Sequence, residues 1–265
     1  MREYLVRVVY LEMLGLDASF GYIHAVNMAQ KGKNPFEKRV GYLAVSLLLH
    51  EDHELTILLV QTILRDLRSA NYLDICSAMT ALCRLLNADL APAVYPAVID
   101  KLNHPKEIVR KKALMCLLRF YKKVPSIIVN QMEDLRRALA DSDPSVMGAA
   151  LAVYHEMIVD NPAEFTSLVP VFVALQRMLI DRKAIHRAYD YHDVPAPWLQ
   201  IRLLRILAHL GADNATTSEG MYPVLLDTLK RAATGVDAAY GAFFLVFFWV
   251  TDSVLPLCAP FSRPV

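Results

Sequence analysis

An apolar helical segment recurs along this chain at a nearly constant interval, and that recurrence limits the possible folds more than any other feature. The segments are Val40–Leu49 (VGYLAVSLLL), Ile75–Leu85 (ICSAMTALCRL), Val109–Leu118 (VRKKALMCLL), Val146–Met157 (VMGAALAVYHEM) and Ile201–Leu210 (IRLLRILAHL). Each carries alanine or another small residue on a face that a neighbouring helix can approach closely. The first four begin at positions 40, 75, 109 and 146, a period of about 35 residues that marks solenoids. The step to Ile201 is 55 residues, room for an insert of about 20, and a further 35 reaches another apolar run at Val236. Partner helices are expected between the anchors, over Leu55–Arg68, Leu90–Leu102, Ile127–Leu139, Phe165–Ile180 and Glu219–Arg231. One pair cannot bury its apolar face alone, so the pairs must stack. The expected fold is all-α: an α-solenoid of stacked helix pairs, armadillo/HEAT-like, coiling as a right-handed superhelix.

With 55% hydrophobic residues over 265 positions, the chain can bury a continuous core. It reads as one helical array over residues 1–239 and a divergent apolar tail over residues 240–265. Lysine and arginine number 28 against 27 acidic residues, so the net charge is +1, which argues against a nucleic-acid partner. Local basic clusters (Lys31 and Lys33 with Lys38 and Arg39, Arg110–Lys112, Lys122 and Lys123) read as solvated helix ends and faces. Cys76, Cys83, Cys116 and Cys258 show no C-x-x-C spacing and read as reduced, buried thiols of a cytosolic protein. Met1 leads into an amphipathic helix rather than a signal peptide. The most apolar run, Tyr240–Val250, has 11 residues before Thr251-Asp252. A membrane span needs about 20, so a buried terminal helix, or an end exposed by truncation, is expected instead.

Punctuation falls between the anchors. Gly32–Pro35, Asn103-His104-Pro105, Asp143-Pro144 and Asn161-Pro162 each precede a helix, where Asn or Asp can cap the orphan amides and proline fits the first turn. The insert Arg182–Pro197 (RKAIHRAYDYHDVPAP) is the longest irregular stretch and reads either as a functional loop or as a plain connector.

No constellation for catalysis emerges. His50-Glu51-Asp52-His53-Glu54 resembles a zincin helix, but the second histidine that H-E-x-x-H needs is Glu54 here, and the segment falls in a turn where its charges face water. His186, His192 and Asp193 share the insert with no thiol or third ligand in a fixed register. Nine scattered glycines form no phosphate-cradling loop, and no G-x-S-x-G elbow occurs. The expectation is a non-enzyme with no catalytic residue, no metal and no cofactor.

Several segments together resemble one family. Tyr10–Gln30 (YLEMLGLDASFGYIHAVNMAQ), Glu37–Leu49 (EKRVGYLAVSLLL), Ile108–Ala113 (IVRKKA) and Val194–Leu207 (VPAPWLQIRLLRIL) resemble the N-terminal trunk of the large adaptin chains of clathrin-adaptor-type complexes. In that family an MLG-x-x-x-x-FG junction precedes an EKR-[IV]-GYL helix. Within it, PAPWLQI and DASFGYIHA point to the epsilon class of chains, with the gamma class as the alternative. Trp198, Gln200 and Arg202 are the positions that carry this distinction, and Trp198 is expected to pack within the solenoid.

The resemblance implies a curved scaffold in vesicle-mediated protein transport. Its partners would be a small sigma subunit, a medium mu subunit and a second large adaptin chain. Recruitment to trans-Golgi or endosomal membranes would be peripheral and driven by an Arf-family GTPase, with cargo tails engaged indirectly. Ile23 and Val26 align with the apolar GTPase contacts of gamma-type chains, spaced i, i+3; they serve either as an exposed anchor pair or as core of the first hairpin. Lys38 and Arg39 match the family's basic pair and read either as membrane or partner contacts or as a solvated helix start. A different helical-repeat peptide binder, or a product anchored by its tail in lipid, are the competing readings. Only Trp198 and Trp249 are present, against the regular Trp/Asn positions of armadillo carriers. Two departures from the family stand out. The chain begins at what corresponds to the second or third trunk helix, and past Tyr240 the resemblance ceases. Both suggest a truncated, alternatively spliced or misassigned product.

Overall fold

Asn34 and Pro35 show how the sequence starts a helix here. The Asn34 side chain accepts a hydrogen bond from the Glu37 amide at 2.8 Å, Pro35 occupies the first turn, and the Glu37 carboxylate accepts from the Lys33 amide at 2.8 Å. Donors that the helix itself cannot pair are thereby satisfied. Asn71 and Asp143 cap the later helices in the same way, Asp143 accepting from the amides of Ser145 and Val146.

The computed structural model describes residues 1–181, 185–191, 194–212 and 214–234. The anchor expected at Val236, the apolar run Tyr240–Val250, Cys258, His192 and Asp193 lie outside the described residues. Two compact units are present. The first, Met1–Ala138, contains α1 (Arg2–Met13), α2 (Tyr22–Lys31), α3 (Pro35–Leu48), α4 (Ile57–Leu67), α5 (Tyr72–Leu85), α6 (Ala91–Ile99) and α7 (Glu107–Lys123), and α8 (Met132–Leu139) closes it. The second begins at Leu139 and contains α9 (Pro144–Asp160), α10 (Val169–Ile180), α11 (Pro197–Gly211), the short α12 (Ala215–Glu219) and α13 (Tyr222–Thr234). No named strand occurs among the described residues, only an isolated bridge between Tyr191 and Val194.

The helix-pair solenoid expected from the repeat is the observed fold. Anchor helices α3, α5, α7 and α9 begin at residues 35, 72, 107 and 144, and α11 follows at 197 after the insert. In the first unit α3 packs on α1, α2 and α5, and α5 packs on α3, α4 and α7. In the second, α11 packs on α9, α10 and α12. Small residues allow the approach. A Cβ placed on Gly41 would lie 2.4 Å from the Ala29 nitrogen, so α3 meets α2 at a point where only glycine fits.

Partner helices differ from expectation in their ends. Short 3-10 turns at Glu54–Thr56, Pro125–Gln131 and Pro162–Leu168 lead into α4, α8 and α10, and Asp100–Asn103 follows α6. Tighter turns are common at helix ends, where the α-helical bond pattern runs out of partners. Two expected caps are absent. Helix α7 starts past Pro105 with Lys106 at its N-cap and no side-chain cap, and Asn161 makes no cap bond before Pro162. The stretch Pro162–Ile180 is long and apolar enough to cross a bilayer, yet it packs in the second unit through Phe165, Phe172, Leu179 and Ile180.

Candidate docking surface

Helical periodicity leaves each anchor helix of the first unit with a second stripe, turned away from its core. On α3 it runs Phe36, Arg39, Leu43, Leu47; on α5, Leu73, Ser77, Thr80, Arg84; on α7, Ile108 and Lys112. Steps of three and four residues keep each set on one face. The three stripes lie side by side because α3, α5 and α7 pack in that order, and together they line a groove of about 590 Å³. Phe36 is 67% exposed, Leu43 55% and Leu73 42%, so large apolar side chains stand in solvent along its length. Arg39, Arg84 and Lys112 supply positive charge, and no lining residue is acidic. An apolar groove with a basic edge suits a partner that brings apolar side chains beside carboxylates, since buried anchors supply affinity and complementary charge supplies orientation. Sequence reading had named Arg39 as a candidate contact and Lys112 in a basic cluster, but it missed the apolar positions between them. Their signal was present as exposed-face leucines at i, i+4 opposite the alanine face, but a wide apolar stripe is equally the mark of a buried helix.

Of the paired basic residues, the structure separates the two. Lys38 turns inward: its Nζ lies 2.9 Å from Asp66 Oδ1 and 3.3 Å from Asp74 Oδ2. Tyr42 donates its hydroxyl to Asp66 Oδ2 at 2.8 Å, Ser69 donates to Asp74 Oδ2 at 3.2 Å, and Arg65 Nε lies 3.3 Å from Asp66 Oδ1. Burial and the neighbouring Asp66 carboxylate push the Tyr42 phenol up, so it stays a donor. This network ties α3 to α4 and α5. Lys38 is therefore corrected from a membrane or partner contact to an internal ion-pair partner, because two buried carboxylates require a cation. Arg39, one residue on, is exposed and lines the groove.

The pair Ile23 and Val26 also divides. Ile23 is 47% exposed, whereas Val26 is 2% exposed and belongs with Ala25, Met28 and Ala29 to the inward stripe of α2. An exposed anchor pair is thus corrected to a single exposed residue. Positions i and i+3 stand about 60° apart around the axis, and the edge of the buried stripe runs between them.

In the second unit, Trp198 overturns the expectation that it packs within the solenoid. It is 69% exposed in the first turn of α11, with its ring 6.3 Å from that of Tyr191. Gln200 is buried instead: its Nε2 donates to the Pro195 carbonyl at 2.6 Å and its Oε1 accepts from Gln176 Nε2 at 3.2 Å. Gln176 Nε2 also reaches Thr228 Oγ1 at 3.5 Å, joining α10, α11 and α13. Arg202 donates to the Gly148 carbonyl at 3.0 Å, and its partial burial lowers its pKa. The insert is anchored through Tyr189, whose hydroxyl donates to Asp143 Oδ2 at 3.0 Å, and Ala196 enters α11 in the left-handed region at φ 41°.

The zincin-like segment serves structure rather than solvent. Glu51 lies 2.8 Å from Arg119 and 2.5 Å from Lys123, both on α7. Its carboxyl is held below the usual range by the bond from Lys123, opposed by burial and helped by the charges of Lys123 and Arg119. His53 accepts from the Leu55 amide and stacks edge-on to Tyr22. Among the described residues no three His, Cys, Asp or Glu side chains cluster as metal ligands.

Comparison with known proteins follows this architecture. The family model described as the adaptin N terminal region matches residues 1–239. The chain is 47% identical over 244 residues to the mouse AP-4 complex subunit epsilon-1, covering 92% of this chain and 22% of that protein. It is 48% identical over 237 residues to the Arabidopsis thaliana AP-4 complex subunit epsilon, covering 89% and 25%. The chain thus spans about a quarter of the length of these curated relatives. A homology model of the full-length AP-3 complex shares the fold at TM-score 0.66 and 23% identity, covering 89% of this chain and 38% of that one. A designed armadillo repeat protein, in complex with the peptide (KR)4, superposes at TM-score 0.52 and 14% identity over 86% of this chain and 98% of its own. With both its repeat architecture and its sequence matched over most of its length, the chain belongs to the adaptin N-terminal region family.

Proposed function

We propose that this chain acts as trunk scaffold of a large adaptor-complex subunit, of the epsilon kind, in vesicle-mediated protein transport. The observation that carries the reading is the apolar, basic-edged groove of α3, α5 and α7, set in a chain of adaptin sequence. In this reading the groove seats the small sigma subunit, while other faces hold the mu subunit and the second large chain. Ile23, exposed on α2, supplies an apolar contact to an Arf-family GTPase, and Arg39 serves the partner side of the groove. Attachment to trans-Golgi or endosomal membranes is peripheral, and cargo tails are met through the assembled complex. A basic peptide ligand such as the (KR)4 of the designed neighbour is disfavoured by Arg39, Arg84 and Lys112.

Co-expression with the matching sigma subunit followed by size-exclusion chromatography tests the assignment. Co-elution is expected, and Leu43→Asp with Leu47→Asp should weaken it about tenfold or more, equivalent to about 1.4 kcal/mol. A soluble, helical wild-type chain that ignores sigma would overturn the reading; binding that survives both substitutions would move the seat off this groove. For the GTPase, Ile23→Asp should reduce pulldown by the GTP-locked form without loss of helicity.

A further inference from the structure

Two of the thiols have been brought together by the fold. Cys83 on α5 and Cys116 on α7 are 33 residues apart in the chain, yet their Sγ atoms lie 3.2 Å from each other. Helices α5 and α7 pack directly, so the contact is set by their packing and not by a loop. Cys116 is 1% exposed and its thiol also faces the Met79 carbonyl at 3.4 Å. Cys83 is partly exposed, so a small solute reaches it first.

The surroundings favour unequal roles. The hydrogen bond from the Cys116 thiol holds Cys83 below the usual thiol range, opposed by burial and helped by the charges of Lys112 and Arg119. Cys116, facing Cys83 and fully buried, is pushed well above that range and keeps its proton. A partly exposed sulfur whose thiol ionises more readily, beside a buried one that holds its proton, is the arrangement of an attacking and a resolving cysteine.

We propose that Cys83 and Cys116 form a peroxide-responsive dithiol site, closing a reversible disulfide that ties α5 to α7. The Cys83 thiolate attacks one oxygen of hydrogen peroxide; an S–O bond forms, the O–O bond breaks, and the departing hydroxide takes up a proton to become water. Cys83 is then a sulfenic acid. The Cys116 sulfur attacks the Cys83 sulfur, the S–S bond forms, the S–O bond breaks, and the leaving hydroxide takes the Cys116 proton as a second water. Two electrons pass from the sulfur pair to the peroxide, and a thiol reductant such as glutathione reverses the bond by exchange. About an ångström of approach by side-chain rotation separates the present contact from a covalent bond. The site stands on the α5–α7 packing alone and is independent of the docking role.

The test treats the full folded chain with hydrogen peroxide, alkylates the remaining thiols and maps peptides by mass spectrometry without reduction. A cross-linked peptide pair containing Cys83 and Cys116, two hydrogen masses lighter than the free peptides and lost on reduction, is expected. Cys76→Ser and Cys258→Ser should leave it intact, and Cys116→Ser should instead let dimedone trap a sulfenic acid on Cys83. Urea-unfolded wild type should form the Cys83–Cys116 link at least tenfold more slowly than the folded chain. Free Cys83 and Cys116 after oxidation, or a preference for links to Cys76, Cys258 or a second chain, would overturn the proposal. Equal cross-linking in urea would overturn it as well, because the fold would then contribute nothing.

Discussion

The α3–α5–α7 face of the first unit and the α9–α11 contact of the second are built from the same kind of repeat, yet one turns bulky apolar side chains to solvent and the other brings two helices close at a glycine. In the first, Leu43, Leu73 and Ile108 stand exposed along the groove. In the second, α9 meets α11 at Gly148: Leu199 lies 3.5 Å from where a Gly148 Cβ would be, and Arg202 donates to the Gly148 carbonyl. The absence of a side chain at Gly148 lets α11 come close to α9, whereas the groove face of the first unit carries bulky apolar side chains in solvent. The two units also bury polar groups differently. The first uses charge, with Lys38 between Asp66 and Asp74; the second uses the neutral amides of Gln176 and Gln200. A neutral pair makes hydrogen bonds without the desolvation penalty of ions, so breaking it should cost less.

Substitutions put this contrast to the test. The largest effect is expected for Lys38→Ala, which leaves buried Asp74 without its cation and Asp66 with only Arg65, and should destabilise the chain by about 3–5 kcal/mol. Urea unfolding measures it, and a loss under about 1 kcal/mol would mean the network behaves as a surface ion pair. Next comes Gln200→Leu, which leaves Gln176 with only its long bond to Thr228 and strips the Gln200 donor from the Pro195 carbonyl, at a cost of about 1–3 kcal/mol. Should it match or exceed Lys38→Ala in the same assay, the distinction between ionic and amide burial fails.

A smaller loss, about 1 kcal/mol, is expected for Asp143→Ala, which removes the α9 cap and the Tyr189 tether. Partial burial opposes ionisation of Asp143, but hydrogen bonds from Ser145, Tyr189 and the backbone amides hold its carboxyl below the usual value. A carboxyl with a depressed folded-state pKa stabilises fully above its unfolded value and loses that contribution as pH falls through the folded one. Thermal unfolding of wild type and variant should therefore converge in acid below the ordinary carboxylate range and stay apart at neutral pH. The smallest effect belongs to Leu43→Ser, within about 0.5 kcal/mol, because the groove side chain is exposed. A large destabilisation there would show that the open face is held shut in solution.

Much of the fold could be read from the chain. The 35-residue spacing and alanine-faced segments gave the helix pairs, and Asn34-Pro35 and Asp143-Pro144 gave two helix starts that the structure bears out. Asn103 and Asn161 looked the same in sequence and cap nothing, since capping depends on where the chain turns after the residue. The family resemblance was legible because long motifs, such as EKRVGYL and PAPWLQI, are specific in a way that composition is not.

Side-chain orientation was the part that stayed hidden. Lys38 and Arg39 are adjacent and chemically alike, yet one neutralises buried carboxylates contributed by α4 and α5 while the other stands in the groove. Val26 and Ile23 fall on either side of the buried edge of α2, and Trp198 and Gln200 take the reverse of the usual places for aromatic and amide. Periodicity and small-residue faces, which act locally and repeat, fixed the stacking of helix pairs in advance, while the long motifs alone carried the adaptin resemblance. Packing between helices settled which apolar face meets solvent, whether Lys38 or Arg39 turns inward and which two thiols meet, because each depends on a neighbouring helix distant in the chain.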